Sequence, residues 1–128
     1  MSNIPAELKY SKEHEWIKLL DDQTALIGIT DFAQTSLGDV TFVELPEEGD
    51  TFSKGDSFSV VESVKAASDI YLPVDAEVLE VNGPLEDSPQ LINQDPYGEG
   101  WIIKFKITDS SGLEELLSSE DYAPLTVE

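Results

Sequence analysis

The 128-residue chain has no cysteine, no arginine, a single histidine and a single methionine. Without cysteine there can be no disulfide, no thiol nucleophile and no zinc knuckle. A Ser-His-Asp triad would have to use His14, and no Gly-x-Ser-x-Gly elbow accompanies it. The glycine patterns that cradle phosphates are missing as well, Walker A lysine included. No run of eighteen apolar residues occurs, so no membrane span is expected. Redox or acyl-transfer chemistry would therefore have to come from a group attached to the chain.

Charge of one sign is also scarce. Seven basic residues, all lysines, face 27 acidic ones, for a net charge of −20. Such a surface repels nucleic acid and anionic lipid, so neither is expected as a partner. It reads either as simple solubility or as steering towards enzymes with basic faces. The length and the 40% hydrophobic content suit one domain, residues 1–128, with one real core. The N-terminus lacks the cationic start and apolar stretch of a secretory signal and is too acidic for a transit peptide. A bacterial cytoplasmic protein is expected, mitochondrial only if a transit peptide has been removed.

What is there reads as short strands between turns. Residues 1–13 form a polar lead-in anchored by Leu8 and Tyr10, then Glu15–Leu19 alternates, with Trp16 a core residue. Asp21-Asp22-Gln23 is a turn and Thr24–Ile29 the returning strand. Thr30 offers an N-cap to a short helix near 31–37 that Gly38 stops, with Phe32 and Leu37 directed at the core. Strands follow at Val40–Glu44 and Val74–Val81, with Thr51-Phe52 set between turn signals, and the last strand spans Trp101–Ile107. Residues 84–100 form a long loop rich in Pro, Gly and Asp. A second short helix near 112–118 carries capping-box spacing at Ser111 and Glu114 and an apolar face of Leu113, Leu116 and Leu117. Beyond Ser118 the tail departs from a clean helix at Pro124. The pattern predicts an antiparallel, mainly β sandwich or flattened barrel.

A weak echo at a spacing of 27 residues matches Leu45-Pro46 with Leu72-Pro73, Gly49 with Ala76, Phe52 with Leu79 and Gly55-Asp56 with Asn82-Gly83.

The most informative stretch runs from Phe58 to Pro73. Apolar alternation on both flanks predicts a hairpin, and small residues (Ser63, Ala66, Ala67, Ser68) surround Lys65 at its tip. A lone exposed lysine is ordinarily a solvated charge. Here Glu62-Ser63-Val64-Lys65-Ala66, followed by Ser68-Asp69, resembles the lipoylation site of the H-protein family of the glycine cleavage system. The resemblance extends to His14-Glu15-Trp16 and to Pro89, Leu91, Asn93, Pro96-Tyr97 and Gly100-Trp101. It implies the lipoyl/biotinyl fold, whose pseudo-two-fold would account for the echo, and an ordered 84–100 loop.

It also implies lipoic acid in amide linkage to Lys65 and a carrier rather than an enzyme. The carrier would take the aminomethyl group of glycine from glycine dehydrogenase (decarboxylating), a pyridoxal-phosphate enzyme, to the aminomethyltransferase. Dihydrolipoyl dehydrogenase would then reoxidise the arm, and a lipoate-attaching enzyme would install it. Some members of the family pass lipoyl groups to other proteins. Glu15 and Asp69 are the acidic residues expected to shelter the loaded arm, against the plainer reading of an exposed strand residue and a turn residue. Glu13 lies nearby but is variable in the family.

Biotin carriers resemble Met-Lys-Met at the modified residue, which Val64-Lys65-Ala66 does not match. Lipoyl domains of 2-oxoacid dehydrogenases usually show Asp-Lys-Ala and lack the His14-Glu15-Trp16 flank. One position departs from the family: Ala76 stands where glycine is common, at a cost of about 1 kcal/mol if the backbone there needs a positive φ.

Overall fold

The alternation between Glu15 and Ile29 supplies the second and third strands of the larger of two sheets. In the computed structural model, which describes residues 4–21 and 23–126, β2 (Glu15–Leu19) pairs antiparallel with β3 (Thr24–Ile29). The Asp21 carboxylate accepts the backbone N–H groups of Gln23 and Thr24 and so makes the turn, while Asp22 lies outside the described residues. The lead-in is itself a strand, β1 (Lys9–Tyr10), with Leu8 and Tyr10 buried as expected.

Chain order then gives β4 (Val40–Glu44), β5 (Thr51–Phe52), β6 (Ser57–Ser63), β7 (Ala67–Tyr71), β8 (Asp75–Val81) and β9 (Ile103–Asp109). The six-stranded sheet has the order β1-β2-β3-β9-β8-β5 and the three-stranded one β4-β6-β7, every pairing antiparallel. The mainly β sandwich expected from the turn spacing is the fold observed.

Between the sheets lie Ile17, Ile27, Val78 and Phe105 from one side and Val43, Phe58, Val61 and Ile70 from the other. Each such side chain contributes roughly 1.5–3 kcal/mol on burial. A second, smaller cluster packs Leu8, Tyr10, Trp16 and Tyr122 together. Trp16 is thus a core residue of this cluster, with its indole N–H donated to the Pro96 carbonyl. Its ring lies across Gly28, where a Cβ would come within 2.8 Å of the indole.

Several expectations need correction. Helix α1 (Asp31–Leu37) has the predicted Thr30 cap and stops at Gly38, whose φ is 80°. Leu37 packs on the main core, but Phe32 does not; its ring lies against His14, 4.8 Å between centroids. The 84–100 loop contains two single helical turns, α2 (Pro84–Asp87) and α3 (Leu91–Gln94). They form because each buries one apolar side chain completely, Leu85 and Ile92. The last strand begins at Ile103 rather than Trp101, since Ile102 donates its N–H to Ile27 just ahead of the ladder.

The second predicted helix is instead a 3₁₀ helix, Ser110–Glu115, capped by Asp109 and not by Ser111. It ends early because Leu116 turns extended and Leu117 exchanges backbone hydrogen bonds with Tyr10. A further helical turn, α4 (Ser119–Tyr122), follows and passes into 3₁₀ geometry across Pro124.

The 27-residue echo has a counterpart in pairing. Gly49 donates to Val78, and Val78 to Asp50, so the matched segments pair antiparallel with each other, as a two-fold requires. Side-chain surroundings are not matched: Phe52 packs on the core, whereas Leu79 is exposed. Ala76 lies buried in β8, and His14 is the sole non-glycine residue with positive φ among the described residues. The feared cost at Ala76 does not arise.

Candidate functional site

The β6–β7 ladder closes at Glu62 opposite Ala67, and the chain turns over Ser63-Val64-Lys65-Ala66. Ser63 shapes this turn. Its N–H reaches the Ala66 carbonyl at 2.8 Å, and its hydroxyl oxygen accepts the N–H groups of Lys65 and Ala66. Val64 donates to the Asp39 carbonyl, which fastens the tip to the segment following α1. The result is a fixed backbone with exposed side chains: Glu62, Val64, Lys65, Ala66 and Ala67 all face water. The Lys65 stem runs over Gly38, where a Cβ would lie 3.1 Å from Cε, so glycine there leaves room for it.

Gly38 follows Leu37, and Leu37 lines a cleft of about 180 Å³ shared with His14, Ile29, Phe32, Ser68 and Ile70. Most of this wall is hydrocarbon from α1 and from the inward side of β7. Ser68 and Ile70 point into it because strand side chains alternate. Asp69 therefore faces the other way, exposed, where it accepts a long hydrogen bond of 3.4 Å from the Ser57 hydroxyl. It is a strand residue, not a turn residue.

Glu15 is only 2% exposed, which excludes the ordinary surface reading. One carboxylate oxygen accepts the Tyr71 N–H at 2.7 Å and the other the Ser11 hydroxyl at 2.8 Å. Burial pushes this carboxyl up to about 7, and the two hydrogen bonds hold it from going further. Glu15 borders a neighbouring cleft of about 260 Å³ with Glu13, Lys54 and Tyr71. The structure thus lines the apolar cleft with Ser68, holds the Lys65 side chain against Gly38 next to the lining residue Leu37, sets Glu15 in the adjoining cleft, and leaves Asp69 on the outer face of β7.

Two participants went unread in the sequence. Glu13, set aside for its variability, borders both clefts. His14 lines the apolar one, and burial lowers its imidazole pKa while nearby Glu13 works in the opposite direction. Its place in His14-Glu15-Trp16 was the available signal for it.

A family model described as glycine cleavage H-protein matches residues 8–128. The chain belongs to the glycine cleavage H-protein family. It is 61% identical to the glycine cleavage system H protein of Carboxydothermus hydrogenoformans over 128 residues, all of this chain and 98% of that one. An Escherichia coli protein of the same name is 58% identical over 125 residues, 98% of this chain and 97% of its own. The crystal structure of a glycine cleavage system H protein from Mycobacterium marinum superposes with a TM-score of 0.87 at 40% identity, covering 94% of this chain and 97% of that one.

Membership makes the chain the carrier component of the glycine cleavage system, a lipoyl carrier and not a catalyst, with its partners inside that system. Among the described residues no helix is long and apolar enough to cross a membrane.

Proposed function

We propose that Lys65 carries lipoic acid in amide linkage and that the chain works as a single carrier domain. Its visitors would be glycine dehydrogenase (decarboxylating), the aminomethyltransferase and dihydrolipoyl dehydrogenase, in that order, after a lipoate-attaching enzyme has modified it. The observation that carries this reading is the exposed hairpin tip, where one lysine stands among small side chains on a backbone fixed by Ser63. The tip is firm enough to be recognised and bare enough to be reached. The relatives are bacterial, which supports a bacterial cytoplasmic setting.

Lys65 is the only basic residue of the tip, and acylation removes its charge. When bound, the lipoyl ring supplies a thiol–disulfide couple. Tethering presents it to a visiting enzyme at an effective concentration of roughly millimolar. The residues around Lys65 fit such a group: the stem lies against Gly38, and the neighbouring Leu37 lines a cleft walled also by Ile29, Phe32 and Ile70. An apolar chain settling there would exclude water from its cargo. Glu15 adds a carboxyl that a cationic amine would hold ionised, and Asp69 adds a second negative charge on the outer face of β7, outside the cleft.

Trypsin supplies the decisive test, because it cuts after free lysine but not after the acylated amide. Lys65 is the only lysine between Lys54 and Lys104. Modified protein should yield one uninterrupted peptide, Gly55 to Lys104, heavier by a single lipoyl group. Lipoate on any other lysine refutes the assignment. For the shelter, Glu15→Ala and Asp69→Ala should each speed formaldehyde release from the loaded carrier while leaving lipoylation intact; unchanged release from both removes that role.

A further inference from the structure

Tyr122 is remote from Lys65 in sequence and sits on the four-residue helix α4, yet no part of it reaches solvent. Its ring stacks on Tyr10, 4.7 Å between centroids and 6° from parallel. Its hydroxyl lies 2.7 Å from Thr30 Oγ1 and 2.7 Å from His14 Nδ1. A phenol can donate once and accept once, so both contacts are satisfied together.

Each partner belongs to a different wall of the apolar cleft. Thr30 Oγ1 also accepts the Ala33 N–H, so the oxygen that caps α1 is the one bonded to Tyr122. From α1 come Phe32, Ala33 and Leu37 of the cleft lining. This helix has seven residues, none fully buried, so its cap provides a large share of what holds it. His14 is held at a φ of 69°, a conformation that side chains other than glycine rarely take up unless their surroundings over-determine it. Those surroundings are its N–H on the Ser11 carbonyl, its carbonyl receiving the Thr30 N–H, and its ring nitrogen on Tyr122. The next residue in this turn is Glu15.

We propose that Tyr122 is a positioning residue for the arm cleft, its one hydroxyl tying the His14 turn and the start of α1 to the C-terminal segment. The inference rests on the reading that this cleft receives the arm. It assigns the C-terminal segment a part in sheltering cargo as well as in closing the aromatic cluster.

The test is Tyr122→Phe, which keeps the stacked ring and deletes the hydroxyl. His14 is the sole histidine, so one pair of side-chain ¹⁵N signals reports it without ambiguity. In unmodified wild-type protein the two nitrogens should differ widely, as one fixed tautomer requires. In the variant they should move towards the averaged values of a free ring. Formaldehyde release from the loaded carrier should rise about fivefold, the scale of one neutral hydrogen bond lost. Thr30→Val should raise release similarly, whereas Thr30→Ser, which keeps a hydroxyl, should restore the wild-type rate. Ala33→Phe, which fills the cleft, separates the two levels of the argument. If it raises release and Tyr122→Phe does not, the cleft reading survives and the role of Tyr122 is overturned. If neither raises release, the cleft reading fails and takes the proposal with it. Should Tyr122→Phe not fold, equal release from the two Thr30 variants overturns the proposal alone.

Discussion

Two turns in this carrier are built by the same local device, a serine hydroxyl folded back onto the chain that follows it. At one, Ser63 accepts the N–H groups of Lys65 and Ala66; at the other, Ser11 accepts the N–H of Glu15 and receives the N–H of His14 on its carbonyl. The first turn projects into water, and Val64 beside its lysine is 69% exposed. The second is folded under the C-terminal segment, with Ser11 and Glu15 buried and His14 tied to Tyr122. In the proposed function, like geometry would therefore serve unlike ends. A residue that must be modified and then presented to several enzymes needs exposure. A residue that must act on a docked charge needs burial, because only away from water does one carboxylate carry weight.

The sharpest way to break this contrast is Lys65→Arg. The guanidinium keeps the charge but stays protonated and cannot be acylated by the attaching enzyme. Glycine cleavage should fall to background, while a thermal melt shows stability within about 0.5 kcal/mol of wild type, as for an exposed site without structural partners. Surviving activity would move the attachment elsewhere, and a large loss of stability would mean the tip is not the free element described.

The next effect belongs to the buried turn. The Glu15 carboxyl titrates near 4.5 when unfolded and about 7 when folded, so the folded state holds its proton more tightly. Its contribution to stability is fully present below the unfolded value and is lost as pH rises through the folded one. Compared with Glu15→Gln, which does not titrate, wild-type protein should lose roughly 2–3 kcal/mol between pH 4.5 and 7.5. Urea unfolding of both proteins at the two pH values measures it. A difference that stays flat would mean that burial does not shift this carboxyl.

How much of this was legible beforehand follows from what each signal depends on. The exposure of Lys65 was readable because a hairpin tip among small residues is a local property, whereas its selection as an attachment site rested on the resemblance of Glu62-Ser63-Val64-Lys65-Ala66 to the family motif. The strands from Glu15 to Ile29 and the Thr30 cap were readable as local properties too. Glu15 was left between two readings because its burial depends on β7, which reaches it from 56 residues away through the Tyr71 N–H. Phe32 was directed to the wrong neighbours, since a seven-residue helix can turn an aromatic ring either to the core or to His14. Tyr122 gave no signal, because its partners lie 92 and 108 residues upstream. The helix expected near 112–118 failed because the Tyr10–Leu117 pairing overrode a local capping pattern.

The serines themselves allow a direct comparison. Ser11→Ala would leave Glu15 with one donor fewer and its own N–H without the hydroxyl, at a site closed to water. A loss of about 1–3 kcal/mol is expected in chemical denaturation. At the exposed tip water can replace what Ser63 provides, so Ser63→Ala should lose less than about 1 kcal/mol. Equal losses would erase the distinction between the turns.

The smallest effect concerns partners and separates the turns by screening. Asp39 and Glu62 near the tip, and Glu44 and Asp69 farther along the same sheet, are exposed, and once Lys65 is acylated no cation remains in the hairpin stretch 57–71. An enzyme with a basic mouth would be steered to this surface, and steering between exposed charges fades beyond about 8 Å at 0.15 M ionic strength. Binding of the lipoylated carrier to the aminomethyltransferase should weaken roughly three- to tenfold from low to moderate salt, mostly through slower association. Glu44→Gln with Glu62→Gln should flatten that dependence. The hydrogen bonds of Glu15 lie where ions do not reach, so the pH-dependent stability difference between wild type and Glu15→Gln should stay the same across the same salt range. Binding that ignores salt would reject steering by this face. A Glu15 term that fades with salt would show that the second turn is open to solvent after all.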